Sequence, residues 1–306
     1  PIQDELSQKL GEMSGYTDYE LFLCNSGAEA IENALKVASF HTKRSKTIVF
    51  ENAFHGRTSL AVTATDTTKL IAPINQNDRF IRVKLNDLEA VAQCLDASVA
   101  AVLIEGIQGV GGIQVPDDAF LNELKLLCKQ NGSLLIVDEI QSGYGRTGKF
   151  FAHQYAQVEP DLITIAKGMG NGFPIGGVLI HPDIKAWSGM LGTTFGGNHL
   201  ACAAGLAVLE VIESEELINH VNFMGDLLWK ALGSLENLVQ IRGRGLMIGL
   251  DLTGDSKPFR HSLLKEQHVF VGSAAQSNTV RLLPPLGVSQ EELVVFLEAF
   301  KKVGYA

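Results

Sequence analysis

The sequence predicts an α/β fold: a mainly parallel sheet flanked by helices over residues 1–212, then a smaller α+β domain over residues 213–306. Three observations carry this. Leu134-Leu135-Ile136-Val137-Asp138 and Leu162-Ile163-Thr164-Ile165-Ala166-Lys167 are short apolar runs ending in an ionisable residue, each with glycines soon after. Such runs read as strands buried on both faces. Strand-like runs also alternate with helical patterns up to about residue 212, which implies parallel pairing, and from 213 onward that alternation is lost.

In an open parallel sheet, ligands bind beyond the carboxyl ends of the strands. Asp138 and Lys167 therefore stand where a ligand would be held. A carboxylate facing a basic ring nitrogen and a lysine able to lose its proton meet the needs of pyridoxal phosphate. On these two residues alone, a buried ion pair between neighbouring strands is an equal reading.

The 306 residues suffice for one large domain and a smaller one. With 46% hydrophobic and 19% charged residues the chain reads as globular, not disordered. A net charge of −9 disfavours nucleic acid and anionic membranes as partners. Cys24, Cys94, Cys128 and Cys202 form no CxxC pair, so reduced thiols in a cytoplasmic protein are expected, without zinc or disulfides. No apolar run reaches the roughly 18 residues of a membrane span. The chain opens without Met and within a helical pattern, so the natural N-terminus is expected upstream and targeting stays open.

In order, residues 1–15 read as an amphipathic helix ending at Gly15, and Leu21–Cys24 as a strand. Ser26-x-x-Glu29 is a capping box opening a helix, whose free N–H groups and dipole favour a phosphate. Strands follow at Thr47–Glu51, Phe80–Lys84 and Val99–Ile104, the last running through Glu105 into Gly106-Ile107-Gln108-Gly109-Val110-Gly111-Gly112. That loop suits backbone passing close to a ligand, or plain flexibility. Phe54-His55-Gly56-Arg57 could cover a flat ring and hold a carboxylate, or form a surface turn. A helix from Asp117 to Gln130 stops at Asn131-Gly132, and a strand is expected at Gly176–His181. A small-residue helix runs from His199 to about Ile212 and a more polar one from about 213, carrying Leu217 to Leu232. Then come a strand at Arg244–Leu252, helices near 258–267 and 289–303, and strands at 268–272 and 279–283.

Six segments in register resemble the class III, fold type I aminotransferases, in the group acting on ornithine and acylornithines. They are Asn25–Ala30, Phe54–Arg57, Val137–Gly143, Ala166–Gly168, Thr193–Asn198 and Val280–Leu286. The resemblance spans essentially the whole chain. It implies pyridoxal 5'-phosphate as cofactor, with Lys167 as the lysine that attaches it and moves protons, and Asp138 on its ring nitrogen. A lysine in that role needs a desolvated site. By the same resemblance Ser26, Gly27 and Ala28 hold the phosphate, Phe54 and Ile140 sandwich the ring, and Gln141 meets its phenolic oxygen. Glu105 lies close by without a firm role, and Thr194 reaches a phosphate in the partner subunit of a homodimer. Arg57 and Arg281 match arginines that hold substrate carboxylates. His55 and Cys24 gain no role.

The implied reaction moves the side-chain amine of an N-acylated ornithine (acetyl or succinyl) to 2-oxoglutarate, in arginine biosynthesis. Alternatives are an ornithine or other ω-amino acid aminotransferase, and a catalytically silent homologue that binds the cofactor. A dinucleotide-binding dehydrogenase fails for want of GxGxxG after the first strand. One departure stands out. Where the family commonly reads Glu-Pro-x-Gln-Gly-Glu, this chain has Glu105-Gly106-Ile107-Gln108-Gly109-Val110, which removes the glutamate that pairs with the arginine matched by Arg281.

Overall fold

A computed structural model of the chain describes residues 1–235 and 238–303. Helix α1 (Ile2–Ser14) stops at Gly15, whose φ of 83° places it in the left-handed region that favours glycine. Strand β1 (Glu20–Cys24) leads into α2 (Gly27–Thr42), where Ser26 Oγ accepts the N–H of Glu29 at 3.2 Å. The Glu29 side chain reaches one residue further back than a capping box requires and accepts the N–H of Asn25.

The next elements are β2 (Lys46–Phe50), α3 (Ser59–Ala64), β3 (Phe80–Val83), α4 (Leu88–Cys94) and β4 (Val99–Glu105). They continue with α5 (Asp118–Asn131), β5 (Leu134–Asp138), β6 (Leu162–Ile165), β7 (Gly176–Ile180) and α6 (His199–Ser214). The seven strands form one sheet in the order β1-β7-β6-β5-β4-β2-β3, with only β7 antiparallel to its neighbours. Every residue of β4 and β5 is buried, as continuous apolar runs demand. Fully burying each large aliphatic side chain there stabilises the fold by about 1.5–3 kcal/mol.

Register brings the chemistry to one edge. Glu105 is the pairing partner of Asp138, and Asp138 that of Thr164, three residues before Lys167. Because β7 runs backwards, its first residue Gly176 pairs with Cys24 at that same edge, next to the start of α2.

A second sheet, in the order β10-β11-β9-β8, is antiparallel throughout. It comprises β8 (Leu238–Arg244), β9 (Met247–Leu252), β10 (Gly272–Ser273) and β11 (Thr279–Leu282). With α7 (Leu217–Leu232), α8 (Ser256–Gln267) and α9 (Gln290–Val303) it encloses an apolar cluster that includes Val221, Leu250, Val280 and Phe300.

Two expected strands differ. Arg244–Leu252 is not one strand but the turn and second arm of a hairpin, because Gly245 (φ 53°) reverses the chain. The strand at 268–272 shrinks to Gly272–Ser273, because left-handed His268 (φ 56°) caps α8 and Phe270 is 76% exposed. The short helices α3 and α4 lie in stretches for which no element was expected.

Candidate active site

A cavity of about 570 Å³ opens at the carboxyl edge of the seven-stranded sheet. Ser26, Gly27, Ala28, Phe54, Glu105, Asp138, Ile140, Gln141 and Lys167, all expected at the site, line it. The first N–H groups of α2 have no partner within the helix and face an anion favourably. Gly27 is packed so closely that a Cβ there would stand 2.9 Å from Ile140 Cδ1, so the backbone and Ile140 shape one wall together.

Asp138 closes β5 and is 4% exposed. Its Oδ1 accepts the N–H of Ile140 at 3.0 Å, and its Oδ2 lies 2.8 Å from His55 Nδ1. Glu105, 5% exposed, accepts the N–H of Phe54 at 2.9 Å and that of Gly109 at 3.0 Å. Burial pushes its carboxyl up to about 7 against the pull of His55. Gln141 sits against Gly109, where a Cβ would come within 1.7 Å of Gln141 Oε1. The loop after β4 is not a flexible connector: Gln108 and Gln114 bridge each other, and Ala275 donates to Val110 O.

Lys167 lines the cavity from the start of a short 3-10 turn, with φ 46°, and is exposed. Arg57 is exposed and lies outside the lining, as does Thr194. Arg281 on β11 is half-buried; its Nε donates to Ser273 O and its Nη1 lies 3.4 Å from Gln141 Oε1. Burial lowers its pKa, Glu105 opposing and Arg260 adding to the effect.

Two groups went unread in the sequence. His55 was assigned no role, yet it bonds Asp138 across 83 residues of chain. Glu139 is gripped by Ser142 Oγ at 2.6 Å and by His153 Nδ1 at 2.7 Å, and Tyr16 O–H donates to His153 Nε2 at 2.6 Å. A lone histidine and the second acid of Asp-Glu give no local signal of a long-range partner. The four cysteines are free, and no cluster of metal-ligating side chains occurs among the described residues. Among the same residues, no helix is long and apolar enough to cross a membrane.

These features fit pyridoxal phosphate. An anion-favouring helix start, an apolar pair at Phe54 and Ile140, a buried carboxylate with two fixed donors and an amine stand around one cavity.

Comparisons agree with this geometry. The family model for aminotransferase class-III matches residues 2–303. Acetylornithine aminotransferase from Methanosarcina acetivorans is 37% identical over 98% of this chain and 76% of its own length. Acetylornithine aminotransferase 1 from Bordetella bronchiseptica is 41% identical over 95% of this chain and 77% of its own. The crystal structure of ornithine aminotransferase from Toxoplasma gondii superposes with a TM-score of 0.90 at 31% identity, covering 99% of this chain and 76% of that one. With the lysine, the aspartate and the helix start all at one sheet edge, the chain belongs to the class III aminotransferases and depends on pyridoxal phosphate.

Proposed function

We propose that this enzyme moves the side-chain amine of an N-acylated ornithine to 2-oxoglutarate, as a cytoplasmic homodimer serving arginine biosynthesis. The observation that carries this is the 37–41% identity, over nearly the whole chain, to relatives named acetylornithine aminotransferase.

Bound pyridoxal phosphate supplies an electron sink for the carbon that loses its proton. The protein's own groups do the rest. Ser26 and the N–H groups of Gly27 and Ala28 hold the phosphate, and Phe54 and Ile140 fix the ring plane. Asp138 keeps a proton on the ring nitrogen, and Gln141 orients the phenolic oxygen. Lys167 Nζ would attach the cofactor and, once released, would move a proton between the amine-bearing substrate carbon and the cofactor. Glu105 places Phe54 by accepting its N–H. Arg57 and Arg281 hold substrate carboxylates, and Thr194 completes the phosphate site of a partner subunit. Residues 213–306 act as a small domain, a reading supported by their own sheet and apolar cluster.

A specific observation favours a donor bearing a second carboxylate, N-succinylornithine. Arg281 forms no salt bridge among the described residues, and Val110 stands where the family commonly has a glutamate. Assays with 2-oxoglutarate and N-acetylornithine, N-succinylornithine or ornithine test the reading. Turnover of an acylated donor is expected. Preference for ornithine would replace it with the ω-amino acid alternative, and cofactor binding without any turnover with the silent homologue.

A further inference from the structure

We infer that His55 is a positioning residue for Asp138: it orients the carboxylate that meets the cofactor's ring nitrogen. This rests on the role proposed for Asp138. His55 is 2% exposed, and its Nδ1 lies 2.8 Å from Asp138 Oδ2. A carboxylate can only accept, so Nδ1 carries the proton and donates. The other oxygen, Oδ1, takes the N–H of Ile140 at 3.0 Å. With one donor on each oxygen, the plane of the carboxylate is fixed from two sides.

The loop carrying His55 is itself held. Phe54 N–H donates to Glu105, and His55 N–H donates to Thr65 Oγ1 at 2.9 Å. Gly56, at φ 136°, passes so near α2 that a Cβ would meet Ala28 Cβ at 2.9 Å. Phe54 and His55 both line the cavity, and His55 also reaches the buried acid Asp138. His55 Nε2 has no hydrogen-bond partner among the described residues. Leaving a buried ring nitrogen bare is unfavourable. An apolar side chain would fill the same space without that cost, so the bond to Asp138 is what a histidine adds here.

The test compares binding of pyridoxal phosphate with binding of its analogue in which the ring nitrogen is replaced by C–H, both titrated into cofactor-free protein. Wild type is expected to bind pyridoxal phosphate at least tenfold more tightly than the analogue. His55→Asn keeps an N–H where Nδ1 stands, and should retain that preference within twofold. His55→Gln moves its amide to the position of Nε2, and should lose fivefold or more of the preference. A packing role treats the two variants alike, so equal preferences in both overturn the inference. Absence of any preference in wild type, or its survival in Asp138→Asn, overturns the Asp138 reading itself. If His55→Gln does not fold, NMR of wild-type protein with isotope-labelled histidine decides. The Nδ1–H tautomer at His55 is expected, and the Nε2–H tautomer overturns the inference.

Discussion

Arg281 and Gln141 meet, Nη1 to Oε1 at 3.4 Å, joining the second sheet to the residue three positions after Asp138. Gln141 is in turn held against Gly109. Val110, the next residue, gives its carbonyl to Ala275 N–H at 2.9 Å and offers no charge from its side chain. The loop after β4 thus packs against Gln141 and bonds to the segment between β10 and β11 within two residues.

Gly109→Ala tests that packing. The new Cβ would overlap Gln141 Oε1, so either the loop or Gln141 must move. The variant is expected to lose about 1–3 kcal/mol of stability, read by urea unfolding. Unchanged stability and activity would show that Gln141 has room to spare.

Glu105 makes stability depend on pH. Its folded pKa is raised by burial from the ordinary 4.5 to about 7. Between those values the folded chain holds a proton that the unfolded chain releases, so stability falls as pH rises through the window. The loss is on the order of 2–3 kcal/mol between pH 4 and 8. Glu105→Gln should flatten the curve by that amount in unfolding titrations across the range. Parallel curves for the two proteins would refute it.

Lys167→Ala should leave the circular dichroism spectrum intact and cut amino transfer by at least about a hundredfold, the scale of a lost acid–base group. Turnover within tenfold of wild type would remove Lys167 from the chemistry. Asp138→Asn keeps the shape and removes the charge, and should lower kcat by about 10²–10³, as for a lost electrostatic stabiliser. Full activity would make Asp138 a merely structural partner.

The strand ends were legible because they are local: an apolar run fixes the strand, and the residue that ends it falls at the sheet edge. Asp138 and Lys167 follow from that, the Ser26 cap follows from its spacing to Glu29, and the neighbouring registers of Glu105 and Asp138 bring the two acids together. The His55–Asp138 and Tyr16–His153–Glu139 contacts join residues far apart in sequence, which no spacing within one element encodes. The hairpin at Gly245 was hidden because β8 is only half-buried and shows no clean alternation.

The donor's acyl group is the sharpest open discriminator. In the family's common pattern a glutamate at the position of Val110 pairs with the arginine matched by Arg281 while the amine donor is bound. Here the acid facing Arg281 across the site is Glu105, and both its oxygens already accept backbone N–H groups from Phe54 and Gly109. Arg281 is half-buried and, among the described residues, hydrogen-bonds only to the neutral Ser273 carbonyl and Gln141 amide. A guanidinium withdrawn from water without an anion is unfavourable, and a ligand carboxylate relieves it. A succinyl group brings that carboxylate and an acetyl group does not. The ratio of kcat/KM for N-succinylornithine over N-acetylornithine should exceed roughly tenfold, or about 1.5 kcal/mol, the scale of one charge-assisted hydrogen bond. Val110→Glu restores an internal partner for Arg281 and should narrow the ratio. Equal values in the wild type, or a preference for the acetyl compound, would sink the idea.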